Sequence, residues 1–271
     1  MKRAPIFLAV VLACASAFGA EADYRITAVT GNAAVVPKDS TIASPARAGF
    51  PLAPGDRIVT DAGGGAEVAA REGTVFQLGE KSSFSVDEPR PSGGSFRLAL
   101  GRLLAKFAPA TGSGYQVATP VAVAAVRGTE LALDVADTGA MNAAVVEGEV
   151  AFRPVEDDTT TNGPVREEVV GASQGLTAEP GKRPEKLPSI PVPLVPALAQ
   201  FKSIRERVPS LREHWPELAA GERIRLRQEA LRERIRWQIP ENVRQNLSSP
   251  RQRVAPLRVP PPSRRPARPR R

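Results

Sequence analysis

The side chains that most often carry catalysis are scarce in this sequence. Among 271 residues there is one histidine, His214, and one cysteine, Cys14. An internal disulfide is excluded, and His-based triads and multi-ligand zinc sites are excluded or one residue short. Carboxylates are the chemistry that remains. Glu147 with Glu149, or Asp134 with Asp137, could form a glycosidase pair. Acids at alternate strand positions, however, share one wet face, where solvation is the expected role. The run Glu156-Asp157-Asp158 lacks the further ligands and the glycine of a calcium loop. No cofactor and no metal is implied, and the residues favour a protein that is not an enzyme. A carbohydrate-active hydrolase using surface carboxylates is the alternative, and it requires two acids facing each other across a cleft.

The elements that would position such residues begin after a leader. Lys2 and Arg3 precede an apolar run from Ile6 to Ala17 and a small-x-small site at Ala20-Glu21-Ala22, the pattern of a signal peptide over residues 1–22. Val11-Leu12-Ala13-Cys14 also loosely resembles a lipobox, which makes a lipoprotein through Cys14 the minority alternative. The apolar run is too short to span a bilayer, and no later stretch reaches that length, so the mature chain is expected to have no transmembrane segment and to be periplasmic or secreted. From 23 to 178 short apolar alternations such as Val75–Leu78, Val121–Val126 and Leu131–Val135 are separated by glycine turns at Gly63-Gly64-Gly65, Glu72-Gly73 and Glu147-Gly148. That spacing predicts an all-β fold, an antiparallel sandwich or rolled sheet of about 10–12 short strands that folds alone.

Several motifs follow one another in this region: Pro54-Gly55-Asp56, Ala66-Glu67-Val68, Glu72-Gly73-Thr74, Leu100-Gly101-Arg102-Leu103, Thr119-Pro120, Val126-Arg127-Gly128-Thr129-Glu130 and Val146-Glu147-Gly148-Glu149-Val150. This succession, over about residues 28–153, resembles the FecR domain. The resemblance implies a periplasmic all-β binding module of the kind found in iron-siderophore signalling regulators. A leader in place of those regulators' cytoplasmic segment and membrane helix makes a direct anti-sigma role unexpected.

Two of the motifs have physical readings of their own. Pro54-Gly55-Asp56 has the residues of a type II turn, with the aspartate accepting backbone N–H bonds. Strict alternation from Val121 points Arg127 inward with Val121, Val123 and Ala125, unless a bulge at Gly128 changes its facing. Arg127 is then either exposed by a kink or half-buried and fixed by a carboxylate or carbonyls. A structural role for Arg127-Gly128-Thr129 comes first, and a ligand contact through Arg127 second.

Charge divides the chain. Residues 1–180 hold 15 Lys and Arg against 21 Asp and Glu, and residues 181–271 hold 22 against 8. Six prolines between 180 and 196 make 179–197 a proline-rich linker. In the helical segment 198–247, Leu198, Phe201, Ile204 and Val208 share one helix face, and Ser210 with Glu213 reads as a capping box. The longest helix is expected from Ala219 to Gln238, with Ile224, Leu231 and Ile235 on one stripe. Residues 210–247 weakly resemble a Trp/Pro/Arg helical repeat of unknown function. Trp215 and Trp237 there are read as the core of a small helical hairpin, or else as a partner-docking surface. The stretch 248–271, with Arg251, Arg253, Arg264, Arg265, Arg268, Arg270 and Arg271, has too little apolar content to fold and is expected to be a disordered basic tail. Without interleaved aromatics it offers no platform for bases, so its partner class is an anionic envelope lipid or polymer rather than nucleic acid. The residues together describe an exported binding or scaffold module of the envelope whose partner is an envelope protein or an anionic surface. A self-associating structural envelope protein is a further alternative, and the sequence leaves the oligomeric state unknown.

Overall fold

The computed structural model describes residues 23–90, 93–110, 114–155 and 167–233. The leader with Cys14, the Glu156-Asp157-Asp158 run, Trp237 and the arginine/proline tail lie outside these residues.

Alternating apolar residues make strands throughout the first part of the chain. These are β1 (Tyr24–Thr30), β2 (Ala33–Val36), β3 (Ser44–Pro45), β4 (Asp56–Thr60), β5 (Gly65–Ala70) and β6 (Val75–Leu78). There follow β7 (Ser83–Arg90), β8 (Gly93–Lys106), β9 (Tyr115–Ala118), β10 (Ala122–Val126) and β11 (Glu130–Val135). The last are β12 (Met141–Glu147), β13 (Glu149–Pro154), β14 (Glu168–Gly171), β15 (Gln174–Ala178) and β16 (Glu185–Leu187). A 3-10 turn (Val192–Leu194) then leads into α1 (Val195–Leu198), α2 (Gln200–Glu213) and α3 (Ala220–Ala230). The all-β expectation holds, with 16 strands among the described residues instead of 10–12. The excess comes from short pieces such as β3 and β16, which carry too few apolar residues to show alternation.

The strands form two leaves that share one long strand. The first leaf runs β1-β5-β6-β8-β11-β12-β15-β16. The second runs β3-β2-β4-β7-β8-β9-β10-β13-β14, antiparallel except for the parallel β8–β9 pair. Residues Gly93 to Leu100 of β8 belong to the second leaf, and Gly101 to Lys106 to the first. The changeover falls at Gly101, with φ +85° and room for no Cβ, which would sit 2.5 Å from Cα of Ser82. Ser82 Oγ there accepts the Arg102 N–H at 3.0 Å. The leaves meet face to face around aromatic rings: the Phe76 centroid lies 4.6 Å from that of Phe96 and 5.1 Å from that of Phe84.

A third layer covers the outside of the first leaf. Ala69, Val75, Leu104, Ala132 and Ala144 point outward there and are buried by Leu194, Ala197, Phe201, Ile204, Val208 and Trp215. The helix face read from the sequence is therefore real, and it packs on the sheet instead of on a second helix. Three expectations give way. The segment 179–197 is not only an extended spacer, because β16 pairs with β15 and Leu194 is buried on the leaf. Ser210 and Glu213 lie inside α2, which continues through Pro209, so they form no capping box. Ile224 is 57% exposed instead of lining an apolar stripe, because α3 is held by polar contacts.

If the helical layer is integral, Phe201→Ala should lower stability by about 3–5 kcal/mol, whereas Ile224→Ala should change it by no more than about 0.5 kcal/mol. Urea unfolding followed by far-UV and tryptophan signals checks both. A Phe201→Ala variant as stable as the parent would make the helices an appendage.

Candidate functional site

Most of the motifs that suggested a family occupy turns and corners, while Ala66-Glu67-Val68 lies within β5. Ala53 to Asp56 closes a turn in which Asp56 N–H donates to the Ala53 carbonyl at 3.0 Å and Ala53 N–H donates to Asp56 Oδ2 at 2.8 Å. Gly55 in that turn has φ +86°, as a type II turn requires at its third position. Thr119 Oγ1 donates to the Ala122 carbonyl and accepts its N–H, closing the β9–β10 hairpin. Arg127-Gly128-Thr129 carries the chain from β10 in the second leaf to β11 in the first. Gly128 at φ +71° turns the backbone there, which leaves Arg127 exposed and Thr129 buried. Arg127 therefore reaches solvent through the change of facing at Gly128. Glu147-Gly148-Glu149 makes the reverse passage, from β12 to β13, and packs on the first corner: a Cβ on Gly148 would lie 2.6 Å from Cγ2 of Thr129. Glu147 and Glu149 are exposed at that corner.

A second group of polar residues, which the sequence did not single out as a site, lies between the sheet and the helices. Glu130 on β11 and Glu67 on β5 point to the covered face of the first leaf, with side chains 1% and 6% exposed. On α2, Arg205 lies about 70° to one side and Arg207 about 90° to the other side of the Phe201, Ile204, Val208 stripe at the helical angle of about 100° per residue. They straddle the apolar contact and reach opposite ways. Arg205 Nε donates to Glu130 Oε1 at 2.7 Å and its Nη2 to Oε2, while Lys106 Nζ donates to Oε1 at 2.9 Å. Arg207 Nη2 donates to Glu67 Oε2, and Thr27 Oγ1 donates to Oε1 at 2.8 Å.

The same pairing continues along the chain. Arg212 Nε donates to the Glu72 carbonyl at 2.8 Å, over the β5–β6 hairpin. Trp215 Nε1 donates to Asp23 Oδ2 at 2.9 Å, and Arg25, itself bonded to Asp23, lies with Cζ 5.0 Å from the Trp215 ring centroid. On α3, Arg227 forks onto Asp56: Nη2 donates to Oδ1 at 2.7 Å and Nη1 to Oδ2. Asp56 is fully buried, and the Arg227 guanidinium also lies 5.6 Å from the Phe50 ring centroid. Trp215 thus docks within its own chain on the β body, which corrects its reading as part of a two-tryptophan hairpin core.

Burial by itself would push the Glu130 carboxyl up, but the hydrogen bonds and charges of Arg205 and Lys106 outweigh it and hold the group below the usual range. Glu72 behaves oppositely. Its burial against Tyr24 dominates the hydrogen bonds and the Arg212 charge that favour ionisation, so its carboxyl is pushed up. Tyr115, bonded to Thr74 beside it, is pushed up to about 12 by burial. No group of three or more His, Cys, Asp or Glu side chains that could hold a metal occurs among the described residues.

Residues 56–151 match the sequence family described as FecR protein. The chain carries a FecR domain. The match runs from the Asp56 turn to β13, so the FecR domain holds both corners and the shared strand β8. The flanking strands and the helices lie outside it. Comparison with curated proteins found no match. Two crystal structures of a candidate anti-sigma factor from Parabacteroides distasonis ATCC 8503, at 1.65 and 2.50 Å, are similar at 16% identity with TM-scores of 0.43 and 0.42. Each alignment covers 53% of this chain and 64% of that one, so this chain spans under two thirds of the length of those structures.

The two carboxyl shifts give opposite pH slopes. Glu130, lowered on folding, contributes stability that is present above its unfolded value of about 4.3 and lost as pH falls through its lower folded value. Glu72, raised on folding, contributes below its unfolded value of about 4.3 and loses that contribution as pH rises through its folded value. In thermal melts between pH 3 and 7, Glu130→Gln should lower Tm most at pH 7 and least at pH 3. Glu72→Gln should raise Tm at pH 7 and do little at the acid end. Parallel curves for parent and variants would contradict both assignments.

Proposed function

We propose that this chain is an exported, non-catalytic binding module of the bacterial envelope. In this reading the FecR domain engages a protein partner and the arginine/proline tail holds the protein to an anionic surface. The observation that carries the non-catalytic reading is the state of the buried acids. Asp56, Glu67 and Glu130 are each neutralised by an arginine of the helices and shielded from solvent, an arrangement suited to holding layers together and unsuited to general acid or base work. Glu147 and Glu149, the best sequence candidates for a hydrolase pair, stand exposed on either side of a corner, where the family motif supplies a turn. No helix among the described residues is long and apolar enough to cross a membrane.

The leader supports export, and export selects the polyanion available to Arg251, Arg253, Arg264, Arg265, Arg268, Arg270 and Arg271: lipid headgroups or phosphorylated envelope polymers. Each arginine near such a surface contributes about 1 kcal/mol, fading beyond a Debye length of roughly 8 Å at physiological salt. Binding to phosphatidylglycerol vesicles should therefore fall steeply as salt rises and vanish on truncation before Ser248, with the thermal melt unchanged. Flat salt dependence, or equal binding by the truncated chain, would contradict the anchoring role.

A further inference from the structure

The contacts of Arg227 amount to a built receptor for a guanidinium group. Asp56, fully buried, offers both carboxylate oxygens to the fork, the Pro51 carbonyl lies 3.4 Å from Nη1, and the Phe50 ring lies beneath the cation. Carboxylate, carbonyl and aromatic face together match the planar donors, the charge and the stacking surface of arginine, and an ammonium would satisfy only the charge. The receptor's floor is rigid, because Asp56 also accepts the Ala53 N–H that closes its turn.

The element that fills this receptor is held lightly. No residue of α3 is fully buried, and its apolar contribution to the main core is limited to the half-buried Ala230, with Leu231 just beyond it. Its ion pairs include Arg227 to Asp56, Arg223 at 3.9 Å from Asp23, and, just past the helix, the exposed Arg47–Glu233 pair. Residues 215–219, between α2 and α3, are irregular, with Pro216 among them, and Trp215 anchors the near side of this hinge. An element with no fully buried residue beyond a hinge is drawn from the low-stability end of a fold and can open without the rest unfolding, and its opening leaves the buried Asp56 carboxylate in need of an arginine.

We propose that Pro51–Asp56 is an arginine-recognition site whose exchangeable occupant is α3, and that its partner in trans is α3 of a second copy of this chain. Every receptor group and every donor belongs to one sequence. A second copy therefore presents the identical site to the released arm, and exchange replaces each contact with its equal across a two-fold axis. Salt screens the exposed Arg47–Glu233 pair far more than the buried Arg227–Asp56 pair and so eases opening from the outer end of the arm, and protein concentration favours the exchanged form.

The groove between the receptor edge and α3 is lined by Ala53 on one side and Ile224 on the other, which provides the test. In the full chain with Cys14→Ser, the A53C/I224C double variant should form an intrachain disulfide on mild oxidation, establishing that the two positions are within reach. A mixture of separate A53C and I224C chains, incubated at high salt and returned to low salt before oxidation, should give disulfide-linked heterodimers, identified by mass spectrometry of the linked peptides. Their yield should rise with protein concentration. It should fall about tenfold when the I224C chain also carries Arg227→Ala or Arg227→Lys, the second of which keeps the charge and loses the fork. Heterodimers no more abundant than in the Arg227 variants, with the double variant still closing within one chain, would confine the arm to its own body and overturn the proposal. Failure of the double variant to close would overturn the docked position of α3 itself.

Discussion

Three carboxylates removed from water fix the arrangement of this molecule. Glu130, Glu67 and Asp56 lie on a β body whose own side chains neutralise them only in part, and the arginines that complete them, Arg205, Arg207 and Arg227, come from helices far along the chain. Breaking a buried ion pair by removing one partner costs about 3–5 kcal/mol, because a charge is left in a poorly solvated site. The β body therefore carries a standing requirement for the helices. The helices among the described residues in turn have one well-buried apolar stripe and need a surface on which to place it. The charge asymmetry between the two parts of the sequence is the visible trace of this dependence: acids on the sheet and arginines on the helices are complementary halves of one contact.

The corners serve the same end. Several passages between the leaves are made where a glycine packs closely on its neighbours, as where Gly148 lies against Thr129 or β8 changes leaf at Gly101. This geometry sets which residues of β5 and β11 face outward, and so places Glu67 and Glu130 beside the outward Ala69, Ala132 and Ala144. Small apolar side chains at those positions leave room for α2 to approach closely enough for Arg205 and Arg207 to reach past the apolar stripe to either side.

Much of this was legible in the residues. The alternation gave the strands and the Phe201, Ile204, Val208 stripe gave the helix face, because both depend on local period alone. The glycine motifs were read as turns, but Glu147-Gly148 is a passage between leaves and Glu72-Gly73 a hairpin, and local chemistry is the same for both. The docking of the helices left a signal that periodicity does not isolate: outward positions on β5, β11 and β12 that are alanine where a solvent-facing strand would carry polar residues. Asp56 was legible as a turn aspartate, and its second role needed Arg227, 171 positions away. No spacing rule connects residues that far apart.

Sheet and helical layer, joined through Glu130 and Arg205, should unfold as one cooperative unit. Native-state amide hydrogen exchange across a urea series addresses it directly. The amides of Ile204, Arg205 and Val208 on α2 should open with the same free energy and the same urea dependence as those of Leu131 and Leu133 on β11, whose side chains lie on the opposite face of the covered leaf. Exchange of the α2 amides through a separate opening several kcal/mol below that of β11, with the strand's protection unaffected, would contradict it.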